Sequence, residues 1–140
     1  MSDELGRFEL LARLGEKERR DLAEQLEWLS FEAGATVFRE GEPADGLMLL
    51  FDGEVRLTSS RADGEGTWGP GASFGAISLV VAGERHACVE ARTPCRILRL
   101  DREGFQRLAS ASPRAACQLM EGIVRESADL VRGVLEDLPD

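Results

Sequence analysis

The stretch of this chain best equipped for chemistry runs from Phe74 to Val89 and reads Phe-Gly-Ala-Ile-Ser-Leu-Val-Val-Ala-Gly-Glu-Arg-His-Ala-Cys-Val. Phe74 ends an apolar segment, and Gly75 after it lets the backbone approach a bound group closely. The amides of Ala76, Ile77 and Ser78 then open a helical turn and aim donors at an anion. Arg85 stands ten residues after the glycine, at the entry to another strand, and brings a planar, permanently charged fork suited to phosphate. His86 and Ala87 follow it. Amides plus one guanidinium make a small phosphate cradle; spacing alone reads Arg85 equally as a surface charge at a strand start.

Other chemistries fare worse. There is one His and no Tyr. The lone His86 cannot supply the several imidazoles that a metal-binding β-barrel needs, so no metal site is expected. Ser–His or Cys–His catalysis would have to run through that same residue, and the expectation is a protein that is not an enzyme. Cys88, Cys95 and Cys117 are an odd count without CxxC spacing, and read as reduced, mostly buried thiols. Lys and Arg total 17 against 26 Asp and Glu, for a net charge of −9. Such a surface suits neither a nucleic-acid backbone nor an anionic membrane. The imbalance is concentrated in residues 1–70, with 16 acids and 8 bases; residues 71–140 hold 10 acids and 9 bases, which favours an anion site in the second half. No apolar run approaches the roughly 20 residues of a membrane helix, and no basic-then-apolar segment opens the chain. A cytoplasmic protein without membrane contact is expected.

The elements that must carry these residues follow from periodicity. With 43% hydrophobic and 31% charged residues, the 140 residues suit a single globular domain over 1–140. Leu5, Phe8, Leu11, Ala12 and Leu14, then Leu22, Ala23 and Leu26, predict two short helices over about 3–26, broken at Gly15. From about 28 to 100 the texture changes to short apolar runs separated by turn signals such as Gly41-Glu42-Pro43, Asp52-Gly53 and Gly69-Pro70-Gly71, which predicts an antiparallel sandwich or barrel. Alternation puts Val55 and Leu57 opposite Glu54 and Arg56, and Ile97 to Leu100 between Arg96, Arg99 and Asp101, so those strands should have one wet face. Asp63-Gly64 reads as an exposed hairpin tip. Phe8, Phe31, Phe38, Phe51 and Phe105 read as core.

Helical periodicity returns over about 101–138. Asp101 caps a short helix carrying Phe105 and Leu108, and Ser112-Pro113 starts a long one that Pro139 stops. The long helix bears two apolar rows, Ala116, Met120, Ile123, Ser127, Leu130 and Val134, and Val124, Ala128, Val131, Leu135 and Leu138. Two rows need two covers. The barrel can take one; a second copy of the chain is expected on the other, through Met120, Ile123, Ser127, Leu130 and Val134.

Phe74-Gly75, Leu79 and Arg85 followed by Ala87 and Val89 resemble the phosphate-binding cassette of the cyclic nucleotide-binding domain family, which includes catabolite-activator-type regulators, kinase regulatory subunits and gated channels. Gly34 to Asp45 resembles the family's first hairpin, Leu47–Gly53 with Glu54–Leu57 its next two strands, and Gly71 to Gly75 its lead into the cassette. The resemblance covers roughly residues 8–137. It implies a mainly β fold with flanking helices: an antiparallel jelly-roll β-barrel, N-terminal helices, and a long C-terminal helix closing over a cyclic nucleotide whose phosphate sits on the cassette. The ligand-binding set it implies is Phe74, Gly75, Ala76, Ile77, Ser78, Arg85, His86 and Ala87. Two positions depart from the family. Ala76 stands where a Glu usually accepts a hydrogen bond from the ribose 2′-hydroxyl, and His86 where many members carry Ser or Thr. Losing a charged hydrogen bond of about 1.5–3 kcal/mol weakens affinity roughly 10- to 150-fold without abolishing it.

The expected function is a stand-alone, non-catalytic regulatory module that works as a homodimer on an unidentified effector protein, with weak or absent cyclic nucleotide binding and no cofactor. The alternative is a genuine cAMP or cGMP sensor using Arg85 and the amides of 75–78. Relatives that read DNA carry a helix-turn-helix after the long helix, whereas only Pro139 and Asp140 follow it here, so direct DNA binding is not expected.

Overall fold

Short strands bounded by turn glycines need pairing partners, and here they find them in two antiparallel sheets and a two-stranded ribbon. The computed structural model describes residues 2–60, 66–79 and 83–136, without the side chains of 2, 3, 77, 127 and 129–136. The expected hairpin tip at Asp63-Gly64 and the end of the long helix at Leu138 lie outside the described residues. The chain divides into a β unit, Gln25–Gln106, and a helical unit made of the chain up to Glu24 and from Arg107 onward.

In the β unit, β1 (Glu27–Phe31), β10 (Cys95–Leu100), β4 (Leu47–Asp52) and β7 (Ser73–Phe74) form one sheet in that order. A second sheet is ordered β2 (Thr36–Phe38), β9 (Cys88–Ala91), β5 (Val55–Thr58) and β6 (Gly66–Trp68). A ribbon pairs β3 (Pro43–Ala44) with β8 (Gly83–Glu84). Every pairing among the described strands is antiparallel. The register Val55↔Ala91 and Leu57↔Val89 sends alternate residues inward. Phe38, Val55, Val89 and Ala91 from one sheet meet Met48, Leu50, Cys95 and Ile97 from the other in a common core. This is the mainly β, jelly-roll-like architecture expected of the sequence.

The expected wet face on β10 is corrected. Ile97, Leu98 and Leu100 are all fully buried, so side chains of both parities are covered, and the exposed position on the strand is Arg96. On β5 the alternation holds, with Val55 buried and Arg56 exposed. Among the aromatics, Phe8, Phe38 and Phe51 are buried while Phe31 and Phe105 are half-buried. Trp28 and Trp68 stay exposed at 44% and 49%. Cys95 is buried, but Cys88 is only half-buried and Cys117 is exposed, which corrects the expectation of mostly buried thiols.

In the helical unit, the predicted first helix is a short turn, α1 (Ser2–Leu5), followed by a 3-10 turn at Glu9–Leu11. The break at Gly15 stands, and α2 (Glu16–Ala23) begins there with Glu16 and Glu18 in its first turn, where the helix dipole favours acids. The helix α3 (Arg102–Ala111), whose first half belongs to the β unit, is capped as expected: the Gly104 amide donates to Asp101 Oδ1 at 2.7 Å. The long helix, α4 (Pro113–Glu136), starts at the Ser112-Pro113 signal. Ala115, Ala116, Leu119 and Ile123 are buried, and Gly122 lies so close to the Leu10 carbonyl that a Cβ there would come within 2.2 Å of it. The row assigned to a second copy is thus the inward one over its described part: Ile123 is 3% exposed and Met120 half-buried. The apolar residue left outward is Val124, of the other row, at 61%. The side chains of Ser127, Leu130 and Val134 lie outside the described residues.

Candidate functional site

Gly75 follows β7 with φ +73°, in the left-handed region that costs other residues free energy. Space demands glycine there as well: a Cβ would lie 2.1 Å from Arg85 Nη1 and 2.8 Å from the Gly46 carbonyl oxygen. The chain then winds into a 3-10 turn, Ala76–Leu79. The amides of Ala76 and Ile77 open that turn and have no carbonyl behind them within it, whereas the Ser78 amide donates to Gly75 O at 3.0 Å.

Arg85 is pinned through its backbone. Its amide donates to Glu42 O at 2.8 Å, and its carbonyl accepts from the Gly41 amide at 2.9 Å, which ties the end of β8 to the turn leading into β3. The side chain turns inward and is only 7% exposed. Its guanidinium lies 4.5 Å from the centre of the Phe38 ring, a cation–π contact, and Nη2 donates a long hydrogen bond of 3.4 Å to Gly46 O. Burial pulls the Arg85 pKa below its ordinary value; Asp45 opposes this, Arg99 adds to it, and Glu42 opposes it. Among the described residues no carboxylate reaches ion-pair distance of the guanidinium. A buried cation held by one weak carbonyl contact is costly, and an anion arriving beside it relieves that cost.

Ser78 does something the sequence did not suggest. It is 2% exposed, and its hydroxyl accepts from the Gly46 amide at 2.9 Å and lies within donating distance of Gly46 O (2.8 Å) and Gly75 O (2.6 Å). Its amide and hydroxyl are both engaged inside the protein, where the hydroxyl braces the Gly46 and Gly75 peptides. Gly46, φ +113°, fits only as glycine, since a Cβ would meet Leu100 O at 2.3 Å. From α3, Arg102 Nε donates to Ser78 O at 2.8 Å while approaching Asp45 Oδ1 at 4.0 Å.

The remaining expected residues are placed less centrally. Phe74 is half-buried, with its ring 6.3 Å from that of Phe38, and supports the platform under Arg85. Ala76 and Ala87 are half-buried; Ile77 contributes its backbone. His86 is exposed, and its carbonyl accepts from Ser59 Oγ at 3.0 Å. Gly46, Phe38 and Arg102 belong to the site but were not read as part of it. Asp45-Gly46 carried a turn signal, Phe38 gave only an apolar one, and nothing local marks Arg102. Among the described residues no group of three or more His, Cys, Asp or Glu is placed to hold a metal, and no helix is long and apolar enough to cross a membrane.

Comparison with known proteins decides what this arrangement is. The family model for the cyclic nucleotide-binding domain matches residues 28–112. The chain belongs to the cyclic nucleotide-binding domain family. It is 35% identical over 100 residues to the cAMP-dependent protein kinase regulatory subunit of Aspergillus fumigatus, a match covering 71% of this chain and 24% of that protein, so it corresponds to about a quarter of that relative's length. The N-terminal domain of a transcriptional regulator from Streptomyces coelicolor A3(2) superposes with a TM-score of 0.80 at 27% identity, over 94% of this chain and 95% of that one. The cAMP-bound PfPKA-R superposes at 0.75 with 26% identity, over 97% of this chain and 45% of that one. The cyclic nucleotide-binding domain family is regulatory, and its ligands are cAMP and cGMP.

Proposed function

We propose that this chain is a non-catalytic regulatory module that takes the cyclic phosphate of cAMP or cGMP on Arg85, weakly, and passes the signal to a partner protein as a homodimer. The observation that carries the ligand is the buried guanidinium with no carboxylate partner among the described residues, facing a glycine whose missing Cβ leaves it room. The cAMP-bound relative supports the ligand class. Weakness is argued from Ala76: a methyl accepts no hydrogen bond from the sugar, where the family usually has a carboxylate. A module that has lost its ligand and persists as a docking domain is the second reading, favoured by the same alanine and by the exposed His86. No cofactor enters either reading. Output through another protein, rather than DNA, follows from the net charge of −9.

Calorimetry of cAMP and cGMP against the protein, with Arg85→Ala as control, separates the readings. Micromolar binding that the control loses supports the sensor; no heat at millimolar ligand overturns it in favour of the docking domain. Sedimentation tests the homodimer: a wild-type monomer at assay concentrations refutes the pairing.

A further inference from the structure

We infer that Ser78 is a positioning residue for Arg85, acting through the Gly46 peptide; the claim about ligand affinity rests on the function proposed above, while the claim about Arg85 itself does not. A guanidinium on a flexible stem is useful to an anion only if it is already aimed, and the restraints on this one are few. The Phe38 ring, 4.5 Å from the guanidinium carbon, restrains where the group lies but not how it is turned. The Gly46 carbonyl, 3.4 Å from Nη2, is the polar contact that sets the rotation.

That carbonyl is itself held by Ser78. The hydroxyl takes the Gly46 amide proton at 2.9 Å, which anchors one end of the residue. It has one proton of its own to share between Gly46 O at 2.8 Å and Gly75 O at 2.6 Å. Either way the Gly46 peptide stays anchored through its amide, and its oxygen, with two lone pairs, can accept from Arg85 as well. One buried hydroxyl therefore ties together the glycine that gives Arg85 room and the glycine that aims it. Ser78 touches no ligand in this scheme, since its own polar atoms are spent within the protein and it is 2% exposed.

The test is Ser78→Ala in the full 140-residue chain. Two readouts are taken: cAMP affinity by calorimetry, and the side-chain nitrogen signals of Arg85 by NMR, which report whether the guanidinium rotates freely. The expected result is a Kd raised about tenfold, the scale of one buried hydrogen bond, together with averaging of Arg85 signals that are distinct in the wild type. Ser78→Thr, which keeps the hydroxyl, should retain distinct Arg85 signals. A loss of stability alone, with Arg85 signals and Kd unchanged in Ser78→Ala, overturns the inference. Should Ser78→Ala fail to fold, Ser78→Cys, with its weaker donor and longer bonds, carries the same comparison. If the wild type binds no cyclic nucleotide, the proposed function fails, and the Arg85 signals still decide whether Ser78 aims that residue.

Discussion

Gly75→Ala is the substitution whose effect the site geometry fixes most closely. Two costs act together. The backbone sits at φ +73°, where a residue with a Cβ is disfavoured by about 1–2 kcal/mol. The new methyl would also lie 2.8 Å from Gly46 O, a backbone atom held by Ser78, and 2.1 Å from Arg85 Nη1, the far end of a side chain. Overpacking against a fixed atom costs about 1–3 kcal/mol, and the side chain will yield first. The expected loss is about 2–5 kcal/mol, which at a slope of about 2 kcal/mol/M lowers the urea midpoint by about 1–2.5 M. Gly34→Ala is the matched control, because Gly34 has φ +89° with nothing within 4 Å of the added Cβ, so it bears the conformational cost alone. Arg85 must also leave its place on Phe38 in Gly75→Ala, so cAMP affinity should fall by far more than in Gly34→Ala. Equal urea midpoints and equal affinities in the two variants would refute the reasoning, because the contact between Gly75 and Arg85 would then be absent in solution.

Ala76→Glu should tighten cyclic nucleotide binding by roughly 10- to 150-fold in calorimetry if the rest of the pocket is intact, and an unchanged affinity removes Ala76 as the reason for weak binding. Gly122→Ala should destabilise the helical unit by about 1–3 kcal/mol in urea unfolding, although alanine is the better helix former, because its methyl meets the Leu10 carbonyl at 2.2 Å; a gain in stability would mean that α4 does not pack there.

The strand pattern, the glycine turns and the Ser112-Pro113 helix start were legible because each is a local rule: alternation, positive φ and capping act within a few residues. The cassette was legible through its resemblance to the family's, since spacing alone read Arg85 equally as a surface charge at a strand start. What escaped depends on neighbours distant in sequence. Ile97, Leu98 and Leu100 are buried although they belong to both parities of β10, and what covers the second face is not stated in the strand's own sequence. The two rows of α4 are both apolar; over the described part, the burial of Ala116 and Ile123 against the exposed Val124 is what shows which one turns inward. Ser78 looked like an amide donor, and its hydroxyl bonds to Gly46, 32 residues away, could be seen only after folding.

The central claim is that the Arg85 guanidinium receives the ligand's phosphate. A crystal structure of the protein grown with cAMP tests it most directly. The account predicts a phosphate oxygen about 2.7–2.9 Å from an Arg85 nitrogen, with the Ala76 amide also donating to the phosphate. Density for cAMP elsewhere, with Arg85 still on Gly46 O, would contradict it.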